Sequence, residues 1–500
     1  MHANLHVSQN FQIGAVSPLL FGGFLEHMGR SVYEGVYDPD SPLADERGMR
    51  TDVIAALAEL ELTIVRYPGG NFTSGYHWQD GVGPKASRPT VRELAWQSIE
   101  TNQFGTDEFL ALCGELNWQP MLCANLGTGT PEEARNWVEY CNAPSGTKYA
   151  DMRVNNGNEM PHNVPYWCLG NEMDGPWQIG HVPAEQYAIR AQQAAKMMKD
   201  VDRTITTVAC GSSGPAMPTY LEWDRTVLEH LGGLADYVSL HRYVGNPQDD
   251  TANFLAVSNS IDQQIEAVDA CCRYTSQRHR LSKRPYLCFD EYNVWYKNRS
   301  SEDMDGRGKF APPLIEEVYN LEDALVVAGF LMSFIRHADV VKIANIAQLV
   351  NVIGPILTRQ DAMLKQSIFY AFRMISSRKG GNSLRAYSDA PCYTSLSRGE
   401  ASYLDQAVTV DDNRLNLFLT NRSTEEEMSI EVTTDLALTE VASAEILTAT
   451  DAKVCNDYQQ PDNVIARKLS GVSVTGGTVK LRLPPLAFAA ITVATSAVNE

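Results

Sequence analysis

The chain has 500 residues, 44% of them apolar, and a formal net charge of −20. That length exceeds one ordinary core and fits one large α/β barrel with a smaller partner, or three average domains. The acidic balance disfavours nucleic acid and anionic membrane as partners and leaves neutral sugars unaffected.

The first ten residues carry neither a basic leader region nor an apolar one. No signal peptide is expected, and the reading is a cytoplasmic protein. Residues 3–13 alternate apolar and polar side chains and read as a strand able to join a C-terminal sheet. Strand-like runs then follow at 20–25, 63–67, 120–125, 166–170, 206–210, 237–241, 285–290 and 340–348. Helical patterns separate them at 49–60, 106–116, 131–141, 183–200, 218–231, 254–279 and 321–337, and an eighth lies at 362–376. Thr106-Asp107-Glu108 and Thr130-Pro131-Glu132-Glu133 place a polar cap and early acids at helix starts. The longest apolar stretch, 324–335, is too short to span a bilayer and reads as a buried helix.

Eight strands alternating with eight helices predict a (β/α)8 TIM barrel. A doubly wound sheet is the alternative, weakened because no Gly-rich phosphate loop follows the first strand. Residues 298–313, rich in charge and glycine, read as a long loop after strand seven. From about residue 385 helical periodicity stops. Short runs at 414–419, 428–433, 444–447, 472–474, 478–483 and 489–493 predict a C-terminal all-β sandwich, jelly-roll-like. The expected division is a catalytic barrel over 14–384 and a β-sandwich domain built from 1–13 plus 385–500. Ten cysteines are present without a CxxC, and several sit inside apolar strand-like runs. They read as reduced, buried thiols of a reducing compartment.

In a barrel of this kind chemistry collects at the C-terminal ends of the strands. Those ends read Glu26-His27, Arg66 to Asn71, Asn125, Asn171-Glu172, Ser212-Ser213, His241-Arg242-Tyr243, Glu291 and Gln348. Glu172 and Glu291 end strands four and seven, which lie roughly opposite across a closed barrel. Two carboxylates about 5–5.5 Å apart are the equipment of a retaining glycoside hydrolase. One of such a pair carries a proton and the other stays charged, and spacing alone leaves open which is which. Each residue also has a structural reading: a lone glutamate as cap or salt-bridge partner, His241 as a satisfied core histidine, Arg66 as a rim lock. Gly69-Gly70 reads as a tight turn. The histidines at 77, 162, 181 and 241 show no metal-ligand spacing. Trp78, Trp96, Trp177 and Trp295 fall in predicted loops above the barrel, as core fillers or as platforms for a sugar face.

Together these motifs resemble one family. Gly22-Gly23-Phe24-Leu25-Glu26-His27, Arg66 to Phe72, Trp167 to Glu172, Asp290 to Tyr296 and Ala347 to Asn351 look like those of the α-L-arabinofuranosidases of glycoside hydrolase family 51. The resemblance runs over essentially the whole chain. It implies a retaining exo-hydrolase releasing terminal α-L-arabinofuranosyl groups from arabinan, arabinoxylan or their oligosaccharides. It implies Glu172 as acid/base and Glu291 as nucleophile, with Asn171 on the sugar 2-hydroxyl. Glu26, Arg66, Asn71 and Gln348 would line the furanose pocket, and His241 and Tyr243 would position the nucleophile. Trp96 and Trp177 are weaker carry-overs. The resemblance further implies a homohexamer with neither metal nor organic cofactor. Two competing readings remain: an endo-acting glucanase or xylanase of the same clan, and a binding or scaffold protein on an inactive barrel.

Overall fold

The computed structural model describes residues 1–496. Eight parallel strands close into a barrel: β1 (Gly22–Phe24), β2 (Ile64–Tyr67), β3 (Gln119–Ala124), β4 (Tyr166–Leu169), β5 (Thr206–Ala209), β6 (Tyr237–Val244), β7 (Tyr286–Val294) and β8 (Val341–Ala347). Their order around the barrel is their order in the chain, with β8 pairing β1. A helix follows each: Thr51–Glu59, Thr106–Leu116, Pro131–Asn142, Ala184–Val201, Glu222–Leu231, Val257–His279, Leu321–Arg336 and Ser367–Ser376. All eight strand-like runs and all eight helical patterns thus mark real elements.

Boundaries moved where backbone conformation intervened. Leu221 adopts φ 66°, so the helix expected from 218 begins at Glu222. The pattern at 362–376 divides: Ala362–Lys365 pairs with Ile356–Arg359 as a hairpin, and the helix begins only at Ser367. Gln366, extended at ψ 168°, separates them, and its amide donates to the Glu317 and Gly354 carbonyls. A helix at Lys148–Asn155 and strands at Asn382–Asp389 and Leu404–Val410 have no counterpart in the sequence reading.

Of the two expected caps one holds; the helix from Thr106 is instead capped at Gly105, whose N–H donates to Glu108 Oε2 at 2.9 Å. Thr130 accepts the Glu133 N–H at 3.1 Å with Pro131 in the first turn. Asn320 and Asp323 cap each other reciprocally at 3.1 and 2.9 Å. The helix they open is buried along Leu321–Ile335, as a helix apolar all round must be. It lies between the barrel and the second sheet, where Arg336 reaches Asp405. Among the described residues no helix is long and apolar enough to cross a membrane.

Nine C-terminal strands and the N-terminal one form a hydrogen-bonded sheet of ten, and the hairpin Cys392–Ser395 with Gly399–Ser402 stands apart from it. The N-terminal strand His2–Ala15 makes it continuous, antiparallel to Asn382–Asp389 on one side and parallel to Met428–Thr434 on the other. The sheet curls around Leu5, Leu417, Val432, Leu481 and Ile491. All ten cysteines are free, and seven are buried.

Candidate active site

The barrel interior is layered. Ile64, Met121, Cys123, Cys168, Val208, Cys288 and Ile343 form a small apolar cluster inside it. Near the C-terminal ends of the same strands stand buried Arg66, Asp290, Glu291, Asn171 and His241. Charges buried to this degree demand partners, and each has several.

Two local devices turn consecutive polar residues inward. On β7, Cys288 pairs with Ser239 and Glu291 with His241, so three steps on β7 match two on β6. A regular strand would send Asp290 and Glu291 to opposite faces; this bulge aims both at the site. After β4, Gly170 takes φ 86° and Glu172 takes φ 43°. The left-handed conformation is costly for glutamate, and it bends the chain so that Asn171 and Glu172 both face the centre.

Arg66 is fully buried and organises the floor. Its Nη1 donates to Glu291 Oε1 at 2.6 Å, its Nη2 to Asn171 Oδ1 at 2.7 Å, and its Nε lies 3.3 Å from Asp290 Oδ2. Tyr243 Oη donates to Glu291 Oε2 at 2.9 Å, and Trp295 stands edge-on behind that ring at 5.6 Å. His241 joins the two glutamates: Nδ1 is 2.9 Å from Glu172 Oε1 and 3.4 Å from Glu291 Oε2. Its Nε2 lies 3.3 Å from Asp290 Oδ1, and Asp290 also accepts from Ser239. Trp177 Nε1 donates to Glu172 Oε2 at 2.6 Å. One ligating atom each from Glu172, His241 and Glu291 lie within 4.8 Å of one another.

The remaining residues complete one wall. Glu26 Oε1 accepts from Phe72 N at 3.0 Å and from Trp96 Nε1 at 3.3 Å. Gln348 Nε2 donates to Glu26 Oε2 at 3.0 Å, and its own carbonyl accepts the Glu26 N–H. Asn71 lies 3.5 Å from the Asn171 amide. A Cβ on Gly70 would sit 2.8 Å from Glu291 Oε1 and 3.5 Å from both Asn171 and Glu26, so glycine lets the backbone close on the site. Glu26, Arg66, Asn71, Trp96, Asn171, Glu172, Trp177, His241, Tyr243, Glu291 and Gln348 are therefore in or beside one cluster, whereas Ser212 binds Asp224, Ser213 binds Asp174 and Arg242 binds Ser260. Trp78 is the exception among the tryptophans: it is core, stacked parallel on Trp137 with its N–H on the Glu133 carbonyl. Asp290 and Ser239 were not singled out for the site, and Trp295, read as core filler or sugar platform, stands behind Tyr243. Asp290 reaches the site because the bulge breaks strand alternation.

Titration follows from this arrangement. Burial opposes a charged His241, yet the Glu291 and Asp290 carboxylates and its hydrogen bonds push it well above the ordinary range. Burial likewise opposes a charged Asp290, and Arg66 and His241 overcome it. Burial pushes the Glu291 carboxyl up and Glu172 adds to this, while His241 and Arg66 pull it down. Glu26 is pushed up to about 8, by burial first and by Glu291 second. Glu172, His241 and Glu291 are close enough to ligate a cation. However, the imidazole holds its proton and Arg66 already supplies positive charge to Glu291, which disfavours metal. A separate cavity of about 450 Å³, lined by Tyr33, Tyr37, Thr101, Phe310 and Arg359 among others, contains none of these residues.

The chain resembles known proteins over nearly its whole length. The family described as "Alpha-L-arabinofuranosidase 1 domain" matches residues 56–260, and "Alpha-L-arabinofuranosidase C-terminal domain" matches 290–487. An "Intracellular exo-alpha-(1->5)-L-arabinofuranosidase 1" of Bacillus subtilis (strain 168) is 42% identical over 490 residues, 97% of this chain and 98% of its own length. The "Intracellular exo-alpha-(1->5)-L-arabinofuranosidase" of Halalkalibacterium halodurans is 44% identical over 432 residues, 86% of each chain. The solved structure of AbfB, a family 51 α-L-arabinofuranosidase from Bifidobacterium longum, superposes with a TM-score of 0.93 at 34% identity, covering 98% of this chain and 99% of that one. This chain belongs to the α-L-arabinofuranosidases of glycoside hydrolase family 51.

Proposed function

We propose that Glu291 is the nucleophile and Glu172 the acid/base of a retaining hydrolysis of terminal α-L-arabinofuranosyl groups. The observation that carries the reading is the approach of the two carboxylates, with oxygens within 4.8 Å. That fits the retaining separation of about 5–5.5 Å and falls well short of the roughly 6.5–9.5 Å that an inverting water needs.

The roles divide by depth. Glu291 is 5% exposed and has both oxygens pinned, by Arg66 and by Tyr243. A nucleophile needs this fixed aim at one carbon. Glu172 is 9% exposed and touches Trp177, which is 52% exposed at the rim. An acid/base must reach a departing group and then a water, and both pass the rim. In the first step a Glu291 oxygen bonds to the anomeric carbon while the glycosidic oxygen leaves with the Glu172 proton. In the second, water adds to that carbon, Glu172 takes its proton, and the ester bond to Glu291 breaks. Two inversions give net retention. Arg66 and His241 stabilise Glu291 as a carboxylate before and after the ester. Glu26, Asn71, Asn171 and Gln348 hydrogen-bond the furanose, and Trp96 and Trp177 flank it.

The finer reading rests on relatives. Two are named for α-(1->5) linkages, and α-1,5-linked arabino-oligosaccharides are the proposed substrate. Both are named as intracellular enzymes, which supports a cytoplasmic location. A hexamer follows from the family resemblance alone, and sedimentation velocity tests it. Residues 14–384 are proposed as the catalytic unit, with 1–13 and 385–500 as the accessory β unit. The decisive experiment for the roles uses a slow-turnover fluorinated arabinofuranoside with an activated leaving group. Peptide mass mapping should find the sugar on Glu291, and the first product of a normal aryl arabinofuranoside should be the α-anomer. A label on Glu172, or an inverted first product, would overturn the assignment.

A further inference from the structure

Where the barrel meets the hairpin at 392–402, buried Arg242 and half-buried Arg398 come together without a carboxylate partner. Arg242 lies between His241 and Tyr243 on β6, and strand alternation turns it away from the barrel lumen. It is only 8% exposed. Its Nη2 donates to Ser260 Oγ at 2.7 Å, and its Nε is buried without a partner. Arg398 comes from the opposite side, at the tip of the hairpin Cys392–Ser395 with Gly399–Ser402. Its Nη1 donates to the same Ser260 Oγ at 3.2 Å, and its Nε is also an orphan.

One neutral oxygen therefore serves two guanidiniums. The Ser260 proton is already committed to the Val257 carbonyl at 2.8 Å, so both arginines compete for its lone pairs. Among the described residues no carboxylate contributes at either guanidinium. Burial, then Arg398, pushes Arg242 down to about 10, and the nearby Tyr220 phenol is the one group opposing this. Other buried arginines are better satisfied: Arg66 pairs with Asp290 and Glu291, Arg422 with Asp405 and Arg50 with Asp52, and Arg153 donates to four backbone carbonyls. Desolvating one guanidinium beside a second like charge, with no counter-charge, is costly. The site is preformed, because the hairpin tip is held independently: Ser395 Oγ accepts the Arg398 N–H at 2.9 Å, and Ser397 binds Asn253.

We infer that Arg242 and Arg398, flanked by Ser260 and Tyr220, form a binding site for a small oxyanion of the phosphate class. The two planar forks suit a tetrahedral anion with several acceptor oxygens. The net charge of −20 does not forbid it, since exposed charges beyond about 8–10 Å are largely screened at physiological salt. A bound anion ties the strand that carries His241 and Tyr243 to the hairpin of the other domain, so its first effect is on stability.

The test uses the full chain and inorganic phosphate, with sodium chloride as control at matched ionic strength and pH 7.5. Thermal unfolding of the wild type should rise saturably, by about 2 °C at about 20 mM phosphate. Arg398→Gln should lose this response, and the exposed control Arg385→Gln should keep it. Arg242→Gln should behave like Arg398→Gln; if it fails to fold, the hairpin variant decides alone. A rise of equal size in Arg398→Gln, an equal rise with chloride, or no rise in the wild type would each overturn the site.

Discussion

The two strand ends that carry the glutamates share one grammar and differ in construction. Each is an apolar run closed by a polar residue and a glutamate: Asn171-Glu172 after β4, Asp290-Glu291 within β7. After β4 the chain has left the strand, and a left-handed Glu172 presents its carboxyl from a turn. On β7 the residues remain within the ladder, and a bulge supplies the inward aim. The turn leaves Glu172 near the rim with an imidazole and an indole as partners. The bulge sets Glu291 on the floor against a buried guanidinium. Two ways of breaking regular backbone thus yield two carboxylates of the same residue type in different surroundings, and different surroundings are what a division of labour between acid and nucleophile needs.

The sharpest way to break this contrast is to delete each carboxyl in turn. Glu291→Ala should lower kcat for an aryl α-L-arabinofuranoside on the order of 10⁴-fold or more. Added azide should restore turnover and give the inverted glycosyl azide; normal activity in the variant would remove Glu291 from the chemistry. Glu172→Ala should cost roughly 10²–10⁴-fold on an arabino-oligosaccharide, where the leaving group needs a proton. The loss should shrink with a nitrophenolate leaving group, and azide should now give retained product. Equal losses on both substrates would contradict an acid role.

Gly70→Ala probes the floor alone. Its new methyl would meet Glu291 Oε1 at 2.8 Å while leaving Glu172 untouched. We expect kcat to fall by about 10²-fold, the scale of an ångström's misplacement, with the second step slowed as much as the first. Unchanged kinetics would mean that Glu291 moves freely, against its two pinned oxygens.

The smallest effect is on stability. Glu26 lies on the Glu291 side of the cluster, and Glu291 is a cause of its rise to about 8. The folded chain then holds more protons than the unfolded one between the ordinary carboxyl value of 4.5 and about 8. Stability contributed by that proton is fully present below the unfolded value and is lost as pH rises through the folded one. Thermal midpoints measured across this window should fall less steeply with pH in Glu26→Gln than in the wild type. Parallel curves would show that Glu26 is ionised throughout.

Much was readable from residue order because the signals were local. Val, Ile and Cys runs bounded by Gly, Asn and Pro mark all eight barrel strands, and 3.6-residue periodicity with Thr130 or Asn320 caps marks the helices between them. His241 and Tyr243 were read at one strand end and took their roles from the family resemblance, and Glu172 and Glu291 stood out because each ends an apolar strand. What lay outside local reach was the inward turn of Asp290, since a bulge exists only relative to the neighbouring strands and leaves no period in its own chain. The meeting of Arg242 with Arg398 over Ser260 depends likewise on packing between distant segments, whereas the joining of the N-terminal strand to the C-terminal sheet was expected from its alternation. Sequence alone determined which elements form and which side chains carry chemistry, because periodicity and side-chain type are properties of short segments. Tertiary structure alone decided which of those groups touch, and at what depth, because burial and register are set by packing between segments distant in the chain.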